Sequence, residues 1–110
     1  MEIKTRRQGD IDVVALNGNL DTSTAGEAEG VLLKLVAGDA TKLLMNCSDL
    51  GYISSSGLRV FLVAAKQLKE KSGELRLCSL NSTVAEVFEI SGFDTIFNIS
   101  KSEEEALSDF

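Results

Sequence analysis

Short apolar runs alternate with amphipathic helical stretches along the whole chain, and this alternation restricts the fold more than any other feature of the sequence. Ile11 to Leu16 reads as a strand with Ile11, Val13 and Ala15 on one face and Val14 and Leu16 on the other, and Asn17-Gly18-Asn19 breaks it. Leu43-Leu44-Met45-Asn46-Cys47 is nearly continuous in apolar side chains, as a central strand covered on both faces should be. Leu75 to Leu80 predicts a further strand, and Thr95 to Ile99 a short one. Helical stretches fall between them. Thr24-Ala25-Gly26-Glu27 matches a capping box, in which the hydroxyl takes a free amide and the glutamate reaches back. Ala28, Val31, Leu32 and Leu35 form the stripe that follows, and Gly38 ends it. A second helix is predicted from about Ser56 to Lys71, with Leu58, Phe61, Leu62, Ala65 and Leu68 on one side. A loop, Ser48 to Ser54, precedes it. Thr83-Val84-Ala85-Glu86 is another capping box, with Val84, Val87, Phe88 and Ile90 facing inward and Gly92 as the stop. Ser102-Glu103-Glu104-Glu105 opens a last helix through Leu107, its acids suited to the positive end of the helix dipole.

At the N-terminus, Glu2 to Arg7 alternates weakly, as an edge strand would. Gln8-Gly9-Asp10 turns it back onto Ile11 as a hairpin. The order is then β-β-α-β-α-β-α-β-α. Strands separated by helices imply parallel neighbours with right-handed crossovers. The expectation is an α/β fold: a mixed four- to five-stranded sheet, an N-terminal hairpin followed by parallel β-α-β units, packed against about four helices. No proline-rich linker or repeat interrupts the 110 residues, so one domain spanning 1–110 is expected. That length suffices to bury a core without disulfides or a structural metal.

Composition narrows the chemistry. The net charge of −6 argues against nucleic acid and against anionic membrane surfaces. There is no histidine, hence neither the commonest general base nor a Ser–His or Cys–His nucleophilic pair. Cys47 and Cys78 sit in apolar runs and read as small buried hydrophobes. No phosphate-cradling glycine loop occurs. The expectation is a protein that is not an enzyme and holds neither metal nor cofactor. With no signal-like segment or spanning apolar run, a cytoplasmic location is expected.

One segment exceeds its structural need. Ser54-Ser55-Ser56-Gly57-Leu58 lies between the carboxyl end of the central strand and the start of an amphipathic helix, where open α/β sheets handle ligands and partners. One serine would cap the helix; three in a row do more than that. Without a base none of them is a nucleophile, but a serine modified by another enzyme needs only exposure.

The order and spacing of several motifs resemble those of the anti-sigma factor antagonists of the STAS domain family. That family carries Asp-Ser-Ser/Thr-Gly-Leu where this chain has Ser54-Ser55-Ser56-Gly57-Leu58. Leu16-Asn17-Gly18-Asn19-Leu20-Asp21 resembles its Leu-x-Gly-x-Leu-Asp element. Gly73-Glu74-Leu75-Arg76-Leu77 and Val87-Phe88-Glu89-Ile90-Ser91-Gly92-Phe93 resemble its late strand and helix. The resemblance implies a STAS-type fold and a partner switch. The unphosphorylated protein would bind an anti-sigma serine kinase of the histidine-kinase-like ATPase type; phosphorylation would release it, and a metal-dependent PP2C-type phosphatase would reset it. The acceptor two residues before the glycine is Ser55, with Ser56 and Ser54 as alternatives. Asp21, Thr22, Ser54, Ser56, Gly57, Leu58 and Arg59 are the expected partner-binding residues. Ser54 replaces the family's usual Asp, and Arg59 stands where a glycine is common. The alternative is a STAS binding module with another output, a signalling complex or a subunit of a lipid-transport ATPase complex.

Overall fold

The computed structural model describes residues 1–110. The elements run β1 (Glu2–Gln8), β2 (Ile11–Leu20), α1 (Ala25–Ala37), β3 (Lys42–Ile53), α2 (Ser55–Glu70), β4 (Glu74–Cys78), α3 (Ser82–Ser91), a 3-10 turn (Phe93–Thr95), β5 (Asn98–Ser100) and α4 (Glu103–Asp109). The five strands lie side by side in chain order. β1 pairs antiparallel with β2, and every later pair is parallel. This is the mixed α/β sheet with four helices that the alternation predicts.

The two faces of β2 divide the core as its sequence indicates. Val14 and Leu16 join Leu43, Met45 and Leu77 under α1, α2 and α3, whose Leu32, Phe61 and Phe88 reach into the same cluster. Ile11 and Val13 join Leu44, Cys78 and Ala106 of α4 on the opposite face. Phe88 packs against Phe61 and Phe97, centroids 6.3 and 6.2 Å apart, tying α3 to α2 and to the approach to β5. Cys47 and Cys78 are buried, as expected, in different clusters, and both are free thiols.

Several boundaries differ from expectation, each for a physical reason. Asn17-Gly18-Asn19 does not break β2, and Ser48 to Ser54 is not a loop. The β2–β3 ladder continues to Leu20 and Ile53 through register shifts at Ala15/Asn17 and Gly18/Asn19. Gly18 has φ +120, so the residues that looked like a turn build bulges instead. The Thr24 capping box does not form: its hydroxyl donates to the Asn19 carbonyl (2.7 Å) and accepts from the Asp21 amide (3.0 Å). α3 is capped by Asn81, whose Oδ1 accepts from the Val84 amide at 2.8 Å, rather than by Thr83. Ile90, expected inward, is 80% exposed, because two residues beyond Phe88 is more than half a turn off the buried stripe. β4 stops at Cys78 because Ser79 takes φ +64, and the Phe93–Thr95 turn delays β5 to Asn98.

Candidate functional site

The extended β2–β3 ladder delivers the chain to α2. The Ser54 amide donates to the Leu20 carbonyl at 2.9 Å, so the last residue before the helix is still held to the end of β2. Ser54 is extended (φ −96, ψ 176) and its Oγ accepts from the Gly57 amide at 3.3 Å. It is the N-cap of α2. Ser56 is half-buried, its Oγ 3.4 Å from the Thr22 hydroxyl. Ser55, between them, is exposed, and neither contact involves its hydroxyl. Three chemically identical side chains thus have three situations: one caps, one bonds across to the β2–α1 loop, one is free.

Thr22 is brought to the serines through its contact with Ser56, and Asp21 directly follows Leu20, whose carbonyl accepts from the Ser54 amide. The Asp21 carboxylate organises its own loop. Its Oδ1 accepts from the Ser23 hydroxyl (2.7 Å) and amide (2.9 Å), with the Thr24 hydroxyl oxygen 3.4 Å away. These bonds, the Ser23 hydroxyl foremost, hold the carboxyl below its ordinary value.

Gly57 and Leu58 correct the expected partner surface. Both are buried, Leu58 at 5% exposure. Leu58 belongs to the main core, and a β-carbon on Gly57 would lie 2.8 Å from side-chain atoms of Ile53 and Leu20. They shape the site from beneath. Arg59 is exposed. It lines a shallow groove of about 230 Å³ between α1 and α2 with Ala25, Gly26, Glu29, Ser56 and Val60.

Two positioning residues escaped the sequence reading. Leu20 anchors Ser54 by its backbone carbonyl, which no side-chain pattern reports. Asn81 donates from Nδ2 to the Leu50 carbonyl at 2.8 Å, fixing the end of β3 to the start of α3. Its signal was present, since an asparagine directly before Ser82-Thr83 is a common helix cap. No group of three or more His, Cys, Asp or Glu is placed to hold a metal ion, and no helix is long and apolar enough to cross a membrane.

The STAS domain family model matches residues 2–106. The chain belongs to the STAS domain family. Among relatives of this STAS domain, BtrV of Bordetella bronchiseptica, described as a candidate anti-sigma factor antagonist, is 42% identical over 89% of this chain and 84% of its own. The anti-sigma-B factor antagonist of Listeria monocytogenes is 31% identical over 96% of this chain and 91% of its own. The Bacillus protein SpoIIAA in its phosphorylated form superposes with a TM-score of 0.77 at 23% identity, covering 98% of each chain. That likeness establishes the shared fold.

Proposed function

We propose that this STAS domain is an anti-sigma factor antagonist whose partner is switched by phosphorylation of Ser55. The observation that carries the reading is the division of labour among the serines. Ser55 alone offers an exposed hydroxyl not already used by the fold, while Ser54 caps α2 and Ser56 contacts Thr22. Two relatives bear the antagonist name, and SpoIIAA, of the same fold, exists in a phosphorylated form. In this reading the unphosphorylated domain binds an anti-sigma serine kinase of the histidine-kinase-like ATPase type in the cytoplasm. Asp21, Thr22, Ser54, Ser56 and Arg59 surround the acceptor in that complex, over the buried Gly57 and Leu58. A PP2C-type phosphatase reverses the mark.

The physics favours a change of partner over a change of fold. Phosphate brings about −1.5 to −2 charges at pH 7. At the first residue of α2 the free amides and helix dipole tolerate them, so the domain stays folded. At an interface shaped for a neutral hydroxyl, phosphate charge that the docked complex leaves uncompensated costs roughly 3–5 kcal/mol to bury. That corresponds to about a hundred- to several-thousandfold in affinity. The test is incubation with the partner kinase and ATP, followed by mass-spectrometric mapping. Ser55→Ala should abolish incorporation; a Ser55→Ala chain phosphorylated at the wild-type rate would refute the assignment. Ser55→Asp should weaken kinase binding with an unchanged circular dichroism spectrum.

A further inference from the structure

The chain has four arginines, and three are tied into the fold. Arg6 pairs with Glu103, Arg7 with Asp12 and Asp39, and Arg76 with Glu74 and the Asp109 carbonyl. Arg59 has no carboxylate within 4.0 Å and no hydrogen bond, although Glu29 lines the same groove. Asp21, in the β2–α1 loop, already accepts from the Ser23 hydroxyl and amide. The one uncommitted arginine therefore stands on α2 four residues after Ser55, the one serine of the 54–56 run whose hydroxyl is free.

Positions i and i+4 are neighbours on a helix surface, their β-carbons about 5–6 Å apart. An anion at i with a cation at i+4 is the favoured orientation of such a pair. A guanidinium offers a rigid fork of N–H donors that matches two oxygens of a phosphate. Ser56 is placed differently, since its hydroxyl is turned to Thr22.

We propose that Arg59 is the intramolecular receptor for the phosphate on Ser55, folding back one helical turn to hold it by a forked pair of hydrogen bonds. The inference rests on Ser55 being the modified residue. It adds a second consequence to phosphorylation. The exposed surface gains a dianion and at the same time loses its free guanidinium, so a partner acid that met Arg59 in the unmodified form would find it occupied.

The test separates this pairing from the kinase reading. Phosphoserine is placed at position 55 of the full chain by genetic code expansion, with no kinase, and its second ionisation is followed by phosphorus NMR. Wild type should ionise lower than Arg59→Gln by about 0.15–0.4 pH unit. The Arg59 Nε–H resonance should move at the same midpoint. Lys66→Gln, further along α2, should leave the wild-type titration unchanged. Identical titrations in wild type and Arg59→Gln, or equal shifts in both variants, would overturn the pairing while leaving phosphorylation by a kinase standing. Failure of a kinase to modify Ser55 would leave this titration untouched. Because Arg59 is exposed, the unphosphorylated Arg59→Gln chain should melt with wild type.

Discussion

Gly57 lies against Leu20 so closely that a β-carbon on the glycine would stand 2.7 Å from the Leu20 carbonyl oxygen. That carbonyl also accepts from the Ser54 amide, so backbone cannot easily yield. The first turn of α2 is thus seated directly on the end of β2, against the Leu20 carbonyl and the side chains of Leu20 and Ile53. Gly57→Ala should force the helix start outward and cost about 1–3 kcal/mol, read as a lower urea midpoint at an unchanged m-value. A midpoint equal to wild type would mean the contact relaxes freely.

The cap on α2 separates the roles of neighbouring serines. Ser54→Ala should cost about 1 kcal/mol, since the Gly57 amide loses its acceptor. Ser55→Ala should stay within about 0.5 kcal/mol, as for other exposed substitutions away from structural contacts. Ser54→Asp should be nearly neutral, because aspartate caps as well as serine and its charge suits a helix start. The family's usual Asp and this chain's Ser54 are then two solutions to one capping requirement. Thermal melts of the three variants decide it; a Ser54→Asp loss as large as that of Ser54→Ala would contradict the capping account.

Lys71 closes the other end of the α1–α2 pair. Its Nζ donates to the carbonyl oxygens of Val36 (2.7 Å) and Gly38 (2.9 Å), which terminate α1. A cation there satisfies orphan carbonyls and meets the negative end of the helix dipole. Lys71→Met keeps the length and removes the donors. Its expected cost is about 1 kcal/mol, with faster amide exchange in the last turn of α1. Unchanged exchange there would show that the contact does not hold the helix end.

The Asp21 loop should respond to acid. Its carboxyl is held below the ordinary 3.8, first by the Ser23 hydroxyl and then by the Ser23 amide. A lowered folded value means the carboxylate form favours the native loop. That contribution is complete above the ordinary carboxylate range and is lost as pH falls through the lowered folded value. Carboxyl NMR should give a midpoint for Asp21 below 3.8, with the Ser23 amide shifting at the same pH. A midpoint at or above 3.8 would exclude the hydrogen-bonded geometry.

The elements that were legible in the sequence are those governed by local periodicity. β2 shows its two faces because alternation is a property of six consecutive residues, and Ser102 caps α4 as its capping sequence says, Oγ accepting from the Glu105 amide at 3.1 Å. Misreadings arose where one residue type serves two purposes. Asn17, Gly18 and Asn19 are turn formers, but in a parallel ladder they form bulges. Thr24 and Glu27 have capping-box spacing, yet the Thr24 hydroxyl is already taken by the Asn19 carbonyl.

The sequence by itself determined the order of strands and helices and placed three serines at the start of α2, because periodicity and helix-start chemistry are local. Which of the three is free was decided only by tertiary structure. Thr22 and Ser56 are 34 residues apart, and only the β2–β3 ladder brings the β2–α1 loop beside α2 so that they touch. The same closeness turned Gly57 and Leu58 from expected partner contacts into buried supports. The chain of non-local contacts that builds the sheet also leaves Ser55 as the open hydroxyl and Arg59 as the unpaired arginine one turn away.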